Sequence, residues 1–340
     1  MDFSKLDFGY RKAPYRFVAK YKDGKWDEGQ LTDNEMITVN ECACVFQYAQ
    51  TCFEGLKAYR TVNDDIVCFR PDLNAARMAD TCQRMVMPVF PEDKFLAALK
   101  DVIVANAELV PPYGTGASLY VRPFMMGTNA CLGVRPATEF EFRIFVSPVG
   151  AYFNNGIKPL KLRITDYDRA APHGTGHIKA ALNYAMSLYP ITDAHNNGFD
   201  ENVYLDAGSH TYLEETGGAN ILFVTPEHKV VTPKSESILP SITKRSLLFL
   251  ASEYLGLEVE ERRISVPELA SFAECGLCGT AAVISPVGKI VDHDREYVFG
   301  NGTKPGEITL KMLQTLQDIR LGLITAPKDW IFEIKKSGNK

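Results

Sequence analysis

The chain has 340 residues, of which 46% are hydrophobic and 23% are charged, and its formal net charge is −5. This length exceeds what one compact core usually carries, so we expect two domains. An acidic chain without a basic stripe argues against nucleic-acid binding. The sequence has neither the apolar core of a signal peptide nor an apolar run of about 18 residues that would span a membrane. A cytoplasmic protein that binds no membrane is therefore expected.

Eight cysteines are distributed along the chain. In a chain of this size with no export signal, they are expected to be reduced thiols rather than a disulfide framework. Cys275 and Cys278 have the CxxC spacing of zinc and redox sites, but no second CxxC motif and no pair of histidines at ligand spacing accompany them. We therefore interpret them as ordinary buried thiols and predict no metal site.

The first half of the chain is predicted to consist of short strands and two helices. Runs of β-forming residues bounded by turn residues predict strands at residues 16–21, 66–70, 118–122 and 140–146. Pro71 and Asp72 mark the start of a helix that continues to Thr81, because proline suits the first turn and a carboxylate stabilises the positive helix end. Pro91 opens a second helix, and Pro123 is expected to end the third strand.

The second half follows a turn-rich segment, residues 150–159, which is the best candidate for a domain boundary. Strands are predicted at residues 160–164, 202–206 and 220–224, and helices at 179–188, 241–250 and 307–321. Residues 213–219 are interpreted as the turn before the last of these strands, and Ser241 is the expected N-cap of its helix. Because strands and helices mix without strict alternation, we predict an α+β fold with two domains, residues 1–149 and 160–340.

Lys179 is the first candidate catalytic residue. It lies in the segment 173–184, which is rich in small and apolar residues and contains no carboxylate to neutralise it. Loss of hydration favours a neutral amine, and neutral amines form Schiff bases with aldehydes such as that of pyridoxal phosphate. The alternative is a lysine at a helix start whose ammonium reaches solvent, which is the commoner situation. The segment lacks the Walker spacing and no GxGxxG motif follows a predicted strand, which argues against nucleoside triphosphates and nicotinamide cofactors.

Pyridoxal phosphate also requires an acid for its ring nitrogen and a cup for its phosphate. Glu214 and Glu215 lie in a glycine-bearing turn before an apolar strand, although a solvated turn would also carry carboxylates. Residues 239–244 form a hydroxyl-bearing turn that enters a helix, and the free amides of a helix start bind anions. Residues 279–282 offer a second turn of small residues, and Arg77 could supply the countercharge.

From Glu215 to Lys244 the sequence resembles the signature of the class IV pyridoxal-phosphate aminotransferases. In that pattern a Glu is followed five residues later by Asn, then by an apolar strand, a Thr and an apolar-x-Ser-apolar-x-Lys run. The matching residues are Glu215, Asn220, Thr232, Leu239, Ser241, Ile242 and Lys244. Leu222 departs from the pattern, which usually has an aromatic residue there, and we expect a local packing change.

The resemblance covers nearly the whole chain and narrows to the branched-chain amino acid aminotransferases. The segments that look like blocks of that family are residues 53–58, 69–74, 119–123, 148–153 and 279–282. It implies a two-domain fold of type IV, similar to D-amino acid aminotransferase, joined by the interdomain loop 150–159. The small N-terminal α/β domain would be followed by a larger C-terminal domain, with a barrel-like sheet, that binds pyridoxal 5′-phosphate.

The resemblance implies roles in cofactor binding for individual residues. Lys179 would carry the cofactor aldehyde as an internal Schiff base and then act as the general base. Glu215 would face the pyridine nitrogen, and Tyr184 would hydrogen-bond the phenolate oxygen. The implied phosphate ligands are Arg77, Ile242, Thr243 and Thr280, of which Ile242 and Thr243 would act largely through backbone N–H groups.

The resemblance also implies how substrates are held. The α-carboxylate would meet the Tyr120 hydroxyl and the amides around Ala281 and Ala282. Arg122 would pair the γ-carboxylate of glutamate, so that one apolar pocket with a polar rim accepts both kinds of substrate. The implied reaction is a reversible ping-pong transamination of L-leucine, L-isoleucine and L-valine with 2-oxoglutarate, which yields the 2-oxo acids and L-glutamate.

The walls of the side-chain pocket form the last implied set. They are Tyr48, Phe53, Leu132, Val134 and Tyr152. In the family Tyr48, Leu132 and Val134 reach in from the second subunit, which implies a homodimer with shared active sites. The tyrosines Tyr48 and Tyr152 would join the arginine at the glutamate γ-carboxylate.

Two alternatives remain open on the sequence. A D-amino acid aminotransferase or an aminodeoxychorismate lyase would use the same lysine and glutamate, but these enzymes are shorter and lack the block of Tyr120 and Arg122. A thiol or metal protein centred on Cys275 and Cys278 would leave Lys179 with a structural role and would bind no coloured cofactor.

A redox motif of some longer family members is missing. Those members carry a CxxC pair that begins two residues after the threonine of the turn, which is Thr280 here. The corresponding positions are Ala282 and Ser285, and the two cysteines of the local CxxC precede Thr280. Redox regulation is therefore not expected from the resemblance.

Overall fold

The computed structural model describes residues 2–150, 157–281 and 283–335. The chain forms two compact units, each with its own sheet. The first unit comprises Met1–Asn154, Lys179–Ala181 and Asp318–Lys340, and the second comprises Asn155–Ile178 and Leu182–Gln317. The three residues around Lys179 thus belong to the first unit, although the chain on either side of them belongs to the second.

The described part of the first unit contains an antiparallel sheet and three α-helices. Its first eight strands are β1 Arg16–Lys22, β2 Lys25–Trp26, β3 Gln30–Thr32, β4 Thr51–Phe53, β5 Leu56–Arg60, β6 Ile66–Phe69, β7 Ser118–Gly127 and β8 Phe140–Val149. Its helices are α1 Cys44–Gln47, α2 Pro71–Arg84 and α3 Glu92–Ala105. The strands of its sheet run in the order β6-β5-β7-β8-β1-β2, with β3 beside β1 and β4 beside β7.

In the second unit, the residues that the structure describes form a mixed sheet and four α-helices. Its strands are β9 Leu160–Ile164, β10 Glu201–Leu205, β11 Leu213–Thr216, β12 Asn220–Val224, β13 Val230–Pro233, β14 Val259–Arg262, β15 Glu274–Gly279, β16 Val283–Asp292 and β17 Arg295–Val298. Its helices are α4 Ala181–Met186, α5 Leu188–Asn196, α6 Ile242–Glu253 and α7 Glu307–Leu321. The strand order is β11-β10-β9-β16-β15-β12-β13-β14, with β17 beside β16.

Several local signals act as predicted. Helix α2 begins at Pro71 with Asp72 in its first turn. The Ser241 hydroxyl caps α6 by accepting a hydrogen bond from the Lys244 amide at 3.1 Å. Together with the mixed sheet and the antiparallel sheet, these elements confirm the predicted α+β fold.

The strand β7 corrects the expectation that Pro123 ends it. The strand runs through Pro123 to Gly127. It pairs with β5 up to Val121 and with β4 from Phe124 onward, so the proline lies where one neighbouring strand ends and the other begins. The carbonyl of Pro123 accepts the Glu54 amide at 2.8 Å, and the missing N–H falls at a break in the pairing, where it costs little.

The segment before β12 is another correction. Residues 213–219 were interpreted as a turn, but Leu213–Thr216 is the strand β11, which pairs with β10. Only residues 217–219 turn. The two carboxylates, Glu214 and Glu215, are therefore buried on a strand with opposite orientations, and neither is solvated.

The chain after Lys179 also differs from the single helix that was predicted. The structure has two helices, α4 and α5, separated at Ser187. The side chain of Asn183, in α4, bends back to the preceding loop, with Nδ2 2.7 Å from the Thr175 carbonyl and 2.9 Å from that of Ile178. These bonds hold the loop that leads to Lys179.

The C-terminal segment does not follow the predicted division at residue 160. The last strand, β18 Ile331–Glu333, pairs antiparallel with β6 and so extends the first sheet to nine strands. Ile334 is buried in the core of the first unit. The sequence could not predict this pairing, because it joins segments more than 250 residues apart. The boundary at residues 150–159 stays a prediction, and residues 151–156 lie outside the described residues.

No helix among the described residues is long and apolar enough to cross a membrane.

Candidate active site

Lys179 is held by the backbone of the first unit. Its amide donates to the Thr81 hydroxyl at 3.1 Å, and its carbonyl accepts the Phe53 amide at 3.2 Å. The next residue, Ala180, forms an isolated bridge with Cys52 on β4. These three backbone contacts, made by two neighbouring residues, fix the position of the Lys179 Cα. A side chain that must meet a reacting atom requires such a fixed backbone.

The Lys179 amine is surrounded by aromatic and charged groups. Its Nζ lies 4.8 Å from the centre of the Phe53 ring. Burial and the positive charge of Arg77 lower the pKa of Lys179 to about 8, against the opposing charge of Glu54. The uncharged amine, which a nucleophile or base requires, is thus more populated near neutral pH than in an ordinary lysine.

Arg77 and Glu54 form a buried ion pair beside the lysine. Arg77 donates from Nε to Glu54 Oε1 at 2.8 Å and from Nη2 to Glu54 Oε2 at 2.7 Å. Asn74 Nδ2 donates to the same Oε2 at 2.7 Å. Burial alone would raise the pKa of Glu54, but the charge and hydrogen bonds of Arg77 outweigh it and lower that pKa. The Glu54 carboxylate is therefore ionised and binds Arg77 through both of its oxygens.

Tyr120 and Arg122 project from β7 on the same side as Phe53. Arg122 Nη2 donates to the Tyr120 hydroxyl at 2.8 Å, and its guanidinium lies 4.7 Å from the Phe53 ring centre. The Nε atom of Arg122 is buried and makes no hydrogen bond within the described residues. A Cβ at Gly55 would come within 2.2 Å of the Tyr120 hydroxyl oxygen, so only glycine leaves this hydroxyl in place. The Tyr120 hydroxyl and the Arg122 guanidinium together can bind a carboxylate.

Tyr48, Leu132 and Val134 lie together at the surface of the first unit. The Tyr48 hydroxyl donates to the Leu132 carbonyl. The side chains of Leu132 and Val134 are 85% and 88% exposed, whereas Cys131 beside them is buried. Two large apolar side chains held outward by an anchored loop suit contact with another surface.

Glu215 is the centre of a second buried cluster, in the second unit. Its Oε1 accepts the Leu239 amide at 2.8 Å and lies 2.8 Å from Arg169 Nη2. Its Oε2 accepts Asn220 Nδ2 at 2.6 Å. Three donors and one positive charge stabilise the carboxylate, which would hold a proton on a ring nitrogen placed against it.

Arg169 links this carboxylate to the loops around it. Its Nη2 also donates to the carbonyls of Gly176 and Ser237, and both side chains of the ion pair with Glu215 are below 7% exposed. A Cβ at Gly176 would lie 2.3 Å from the Ser237 carbonyl oxygen and 2.7 Å from Arg169 Nη2. The glycine is needed for this close approach of the two loops.

The proposed phosphate ligands of the second unit lie at a helix start and in a turn. Ile242 and Thr243 are the first two residues of α6, and both are buried. The N–H groups of a first helical turn have no partner within the helix and bind anions. Thr280 and Ala281 form the turn between β15 and β16, and Tyr184 lies on α4. Tyr152 and Ala282 lie outside the described residues.

The CxxC pair has no redox geometry. Cys275 and Cys278 lie on one strand, β15, three residues apart, so that their side chains point to opposite faces. Burial raises the pKa of Cys278 to about 12 and that of Cys275 well above its ordinary value. All eight cysteines of the chain are free thiols, and no cluster of metal-ligating side chains occurs in the described ranges.

Five residues that hold Lys179, Arg77 or Glu215 in place, or the loop that leads to Lys179, had no predicted role. They are Glu54, Asn74, Thr81, Arg169 and Asn183. For Glu54 a signal exists in the sequence, because a carboxylate between Phe53 and Gly55 in a strand-forming segment must find a cation if it is buried. The other four residues act through contacts with residues distant in sequence or through the geometry of a loop. The sequence alone predicts neither of these.

Comparisons with known proteins agree with this chemistry. Residues 51–290 match the family described as Amino-transferase class IV. A branched-chain-amino-acid aminotransferase of Haemophilus influenzae is 47% identical, over 98% of this chain and 99% of that protein. One of Helicobacter pylori is 46% identical, over 98% of both chains.

Solved structures agree as well. The branched-chain amino acid aminotransferase of Escherichia coli superposes with a TM-score of 0.81 at 26% identity, covering 95% of this chain and 100% of that one. The enzyme of that name from Thermobaculum terrenum, solved in its PLP-form, has a TM-score of 0.80 at 25% identity and covers 96% of this chain and 100% of its own.

Proposed function

We propose that this chain, which belongs to the branched-chain amino acid aminotransferase family of class IV, transfers amino groups from L-leucine, L-isoleucine and L-valine to 2-oxoglutarate. The reaction is reversible and gives the branched-chain 2-oxo acids and L-glutamate. The observation that carries the proposal is the Lys179 amine, whose pKa is lowered to about 8 beside the pair of Arg77 and Glu54.

The enzyme uses pyridoxal 5′-phosphate as its cofactor. The donor set fits this molecule: an amine for the aldehyde, the Glu215 carboxylate for the ring nitrogen, and the first turn of α6 for the phosphate. When bound, the cofactor supplies the aldehyde and a ring that accepts the electrons released at the substrate Cα. Arg77, Ile242, Thr243 and Thr280 are proposed to hold the phosphate, and Tyr184 the phenolate oxygen.

Each catalytic group has one proposed task. Lys179 would hold the cofactor through its aldehyde carbon, and its neutral amine would take the proton from the substrate Cα as a general base. Glu215 keeps a proton on the ring nitrogen, which makes removal of the Cα proton easier. Arg169 and Asn220 keep the Glu215 carboxylate oriented for this task.

Substrate recognition is assigned to an apolar pocket with a polar rim. The hydroxyl of Tyr120 and the amides around Ala281 and Ala282 are proposed to take the α-carboxylate. The buried Nε of Arg122 supports its assignment to the glutamate γ-carboxylate, since such an atom lacks a partner until an anion arrives. The proposed pocket walls are Tyr48, Phe53, Leu132, Val134 and Tyr152.

The enzyme is proposed to act as a homodimer in which Tyr48, Leu132 and Val134 complete the partner's pocket. The exposure of Leu132 and Val134 supports this assignment, because both side chains would gain burial from the second copy. A cytoplasmic location is also proposed, and the eight free thiols fit a reducing compartment.

A half-reaction tests the proposed activity. L-Leucine added alone to the purified, cofactor-loaded enzyme should yield one equivalent of 2-oxo acid per active site and then stop. Addition of 2-oxoglutarate should restart the reaction and yield L-glutamate. An enzyme that consumes D-alanine but not L-leucine would refute the proposal and favour a D-specific class IV enzyme.

Hybrid dimers test the shared site. The double variant Leu132→Ala/Val134→Ala is expected to lower kcat/KM for L-leucine by about 10- to 100-fold. The fold of the single chain should hardly be destabilised, since both side chains are exposed in it. Mixed one to one with Lys179→Ala and allowed to exchange subunits, it should regain about a quarter of the wild-type activity, because half the dimers are hybrids with one intact site each.

Equal amounts of either variant mixed with itself are the control for this experiment. If the mixture is no more active than the sum of its parts while subunit exchange is demonstrated by mass, the pocket is not completed by the partner.

A further inference from the structure

Among the described residues of the first unit, Glu54 is the most completely buried charged side chain, with none of its surface exposed. It lies at the junction of β4 and β5, where its amide is bonded to the Pro123 carbonyl. Its carboxylate faces the lysine site and receives donors from Arg77, Asn74 and the amide of Gly55. A carboxylate in such a place is retained only with several partners, because burial of an ion is costly.

The Arg77 guanidinium is fixed by this carboxylate through two parallel hydrogen bonds, from Nε and Nη2. Such a fork leaves one orientation of the planar group. A phosphate ligand fixed in this way needs no reorientation when the cofactor binds. The same contact places a negative charge against the guanidinium, and this charge also acts on Lys179.

We propose that Glu54 is a positioning residue of the transamination, whose carboxylate fixes Arg77 for the cofactor phosphate and offsets the Arg77 charge at Lys179. This proposal rests on the proposed function. It assigns to Glu54 no contact with substrate. Without the carboxylate, the arginine needed for the phosphate would act on the lysine as an uncompensated cation.

The charges that face Lys179 come from three parts of the first unit. Arg77 on α2 and Arg122 on β7 lower the pKa of Lys179, whereas Glu54 and Tyr120 raise it. Removal of the Glu54 charge leaves both guanidinium groups and only the phenol of Tyr120 against them. The pKa of Lys179 should then fall below its present value of about 8. Removal of the Arg77 charge should act in the opposite direction.

A charge cycle tests the proposal on the holoenzyme. Glu54→Gln keeps the volume and one acceptor oxygen but removes the charge, and Arg77→Met removes the opposite charge. Unbound cofactor is removed, and the visible absorbance of the cofactor bonded to Lys179 is titrated with pH in each variant and in the double variant. This absorbance reports protonation of the bonded Nζ atom, which is exposed to the same surrounding charges as the free amine. The protonated fraction at the wild-type midpoint should fall about tenfold in Glu54→Gln, rise in Arg77→Met, and return close to wild type in the double variant.

The outcomes separate the two proposals. The role of Glu54 is overturned if Glu54→Gln titrates at the wild-type midpoint, or if its midpoint shifts in the same direction as that of Arg77→Met. Loss of packing alone would not shift the two midpoints in opposite directions, nor would the shifts cancel in the double variant. Wild-type protein that retains no visible absorbance after loading with cofactor and removal of the unbound excess overturns the proposed function itself. If Glu54→Gln fails to fold, Glu54→Asp, which keeps the charge, must fold and titrate within about threefold of wild type, or the proposal fails.

Discussion

Replacement of Lys179 by alanine is expected to reduce turnover by at least about 10⁴-fold, because the variant loses both the covalent attachment point and the general base. The fold should persist. The backbone bonds of Lys179 to Thr81 and Phe53 do not involve its side chain, and removal of a partly buried amine leaves no unpaired charge. The measurement is kcat for L-leucine with 2-oxoglutarate, together with the visible absorbance of the cofactor.

Lys57 provides the matched control. It is the other lysine of the first unit with a strongly lowered pKa, to about 7, because of burial and the charge of Arg320. Lys57→Met should keep the visible absorbance of the bound cofactor, since no covalent link to Lys57 is proposed. Loss of that absorbance in Lys57→Met with its retention in Lys179→Ala would mean that the wrong lysine has been assigned.

Replacement of Glu215 by glutamine is expected to have the second largest effect. Turnover should fall by about 10²- to 10³-fold, since the negative charge that keeps the ring nitrogen protonated is lost. The variant also leaves Arg169 buried without its counter-ion, which should lower the free energy of unfolding by about 3–5 kcal/mol. Steady-state kinetics and denaturant unfolding measure the two effects separately.

A second variant distinguishes chemistry from stability. Arg169→Met together with Glu215→Gln removes both charges, so most of the lost stability should return while turnover stays low. Glu214→Gln is the matched control, because Glu214 is equally buried on the same strand but faces the other side and accepts the Ser235 hydroxyl. Equal loss of turnover in Glu214→Gln and Glu215→Gln would contradict the assignment of the acid.

Local signals in the sequence were sufficient for many elements of the fold. Helix starts depend on the first turn alone, so Pro71 and Ser241 predicted α2 and α6. The final helix α7 begins and ends at the predicted residues. The passage of β7 through Pro123 and the pairing of β18 with β6 depend on partners far along the chain, and no local pattern encodes them.

The residues of the candidate site also divide into those that a local pattern predicts and those that only the fold brings together. Lys179 was found because its own neighbourhood lacks carboxylates, and that is a property of a short segment. Its nearest charges, Glu54 and Arg77, are more than 100 residues away in sequence and reach it only through the fold. The Glu215 carboxylate was found, but its strand and its partner Arg169 were not, since a buried ion pair is defined by tertiary contact.

The most direct test of the account is to locate the covalent bond between protein and cofactor. Borohydride reduction of the yellow holoenzyme fixes the cofactor to the lysine that carries it, and peptide mass spectrometry after proteolysis identifies that lysine. We expect one reduced pyridoxyl group per chain, on Lys179. A label on Lys57 or on any other lysine, or no label in cofactor-saturated enzyme that is active, would contradict it.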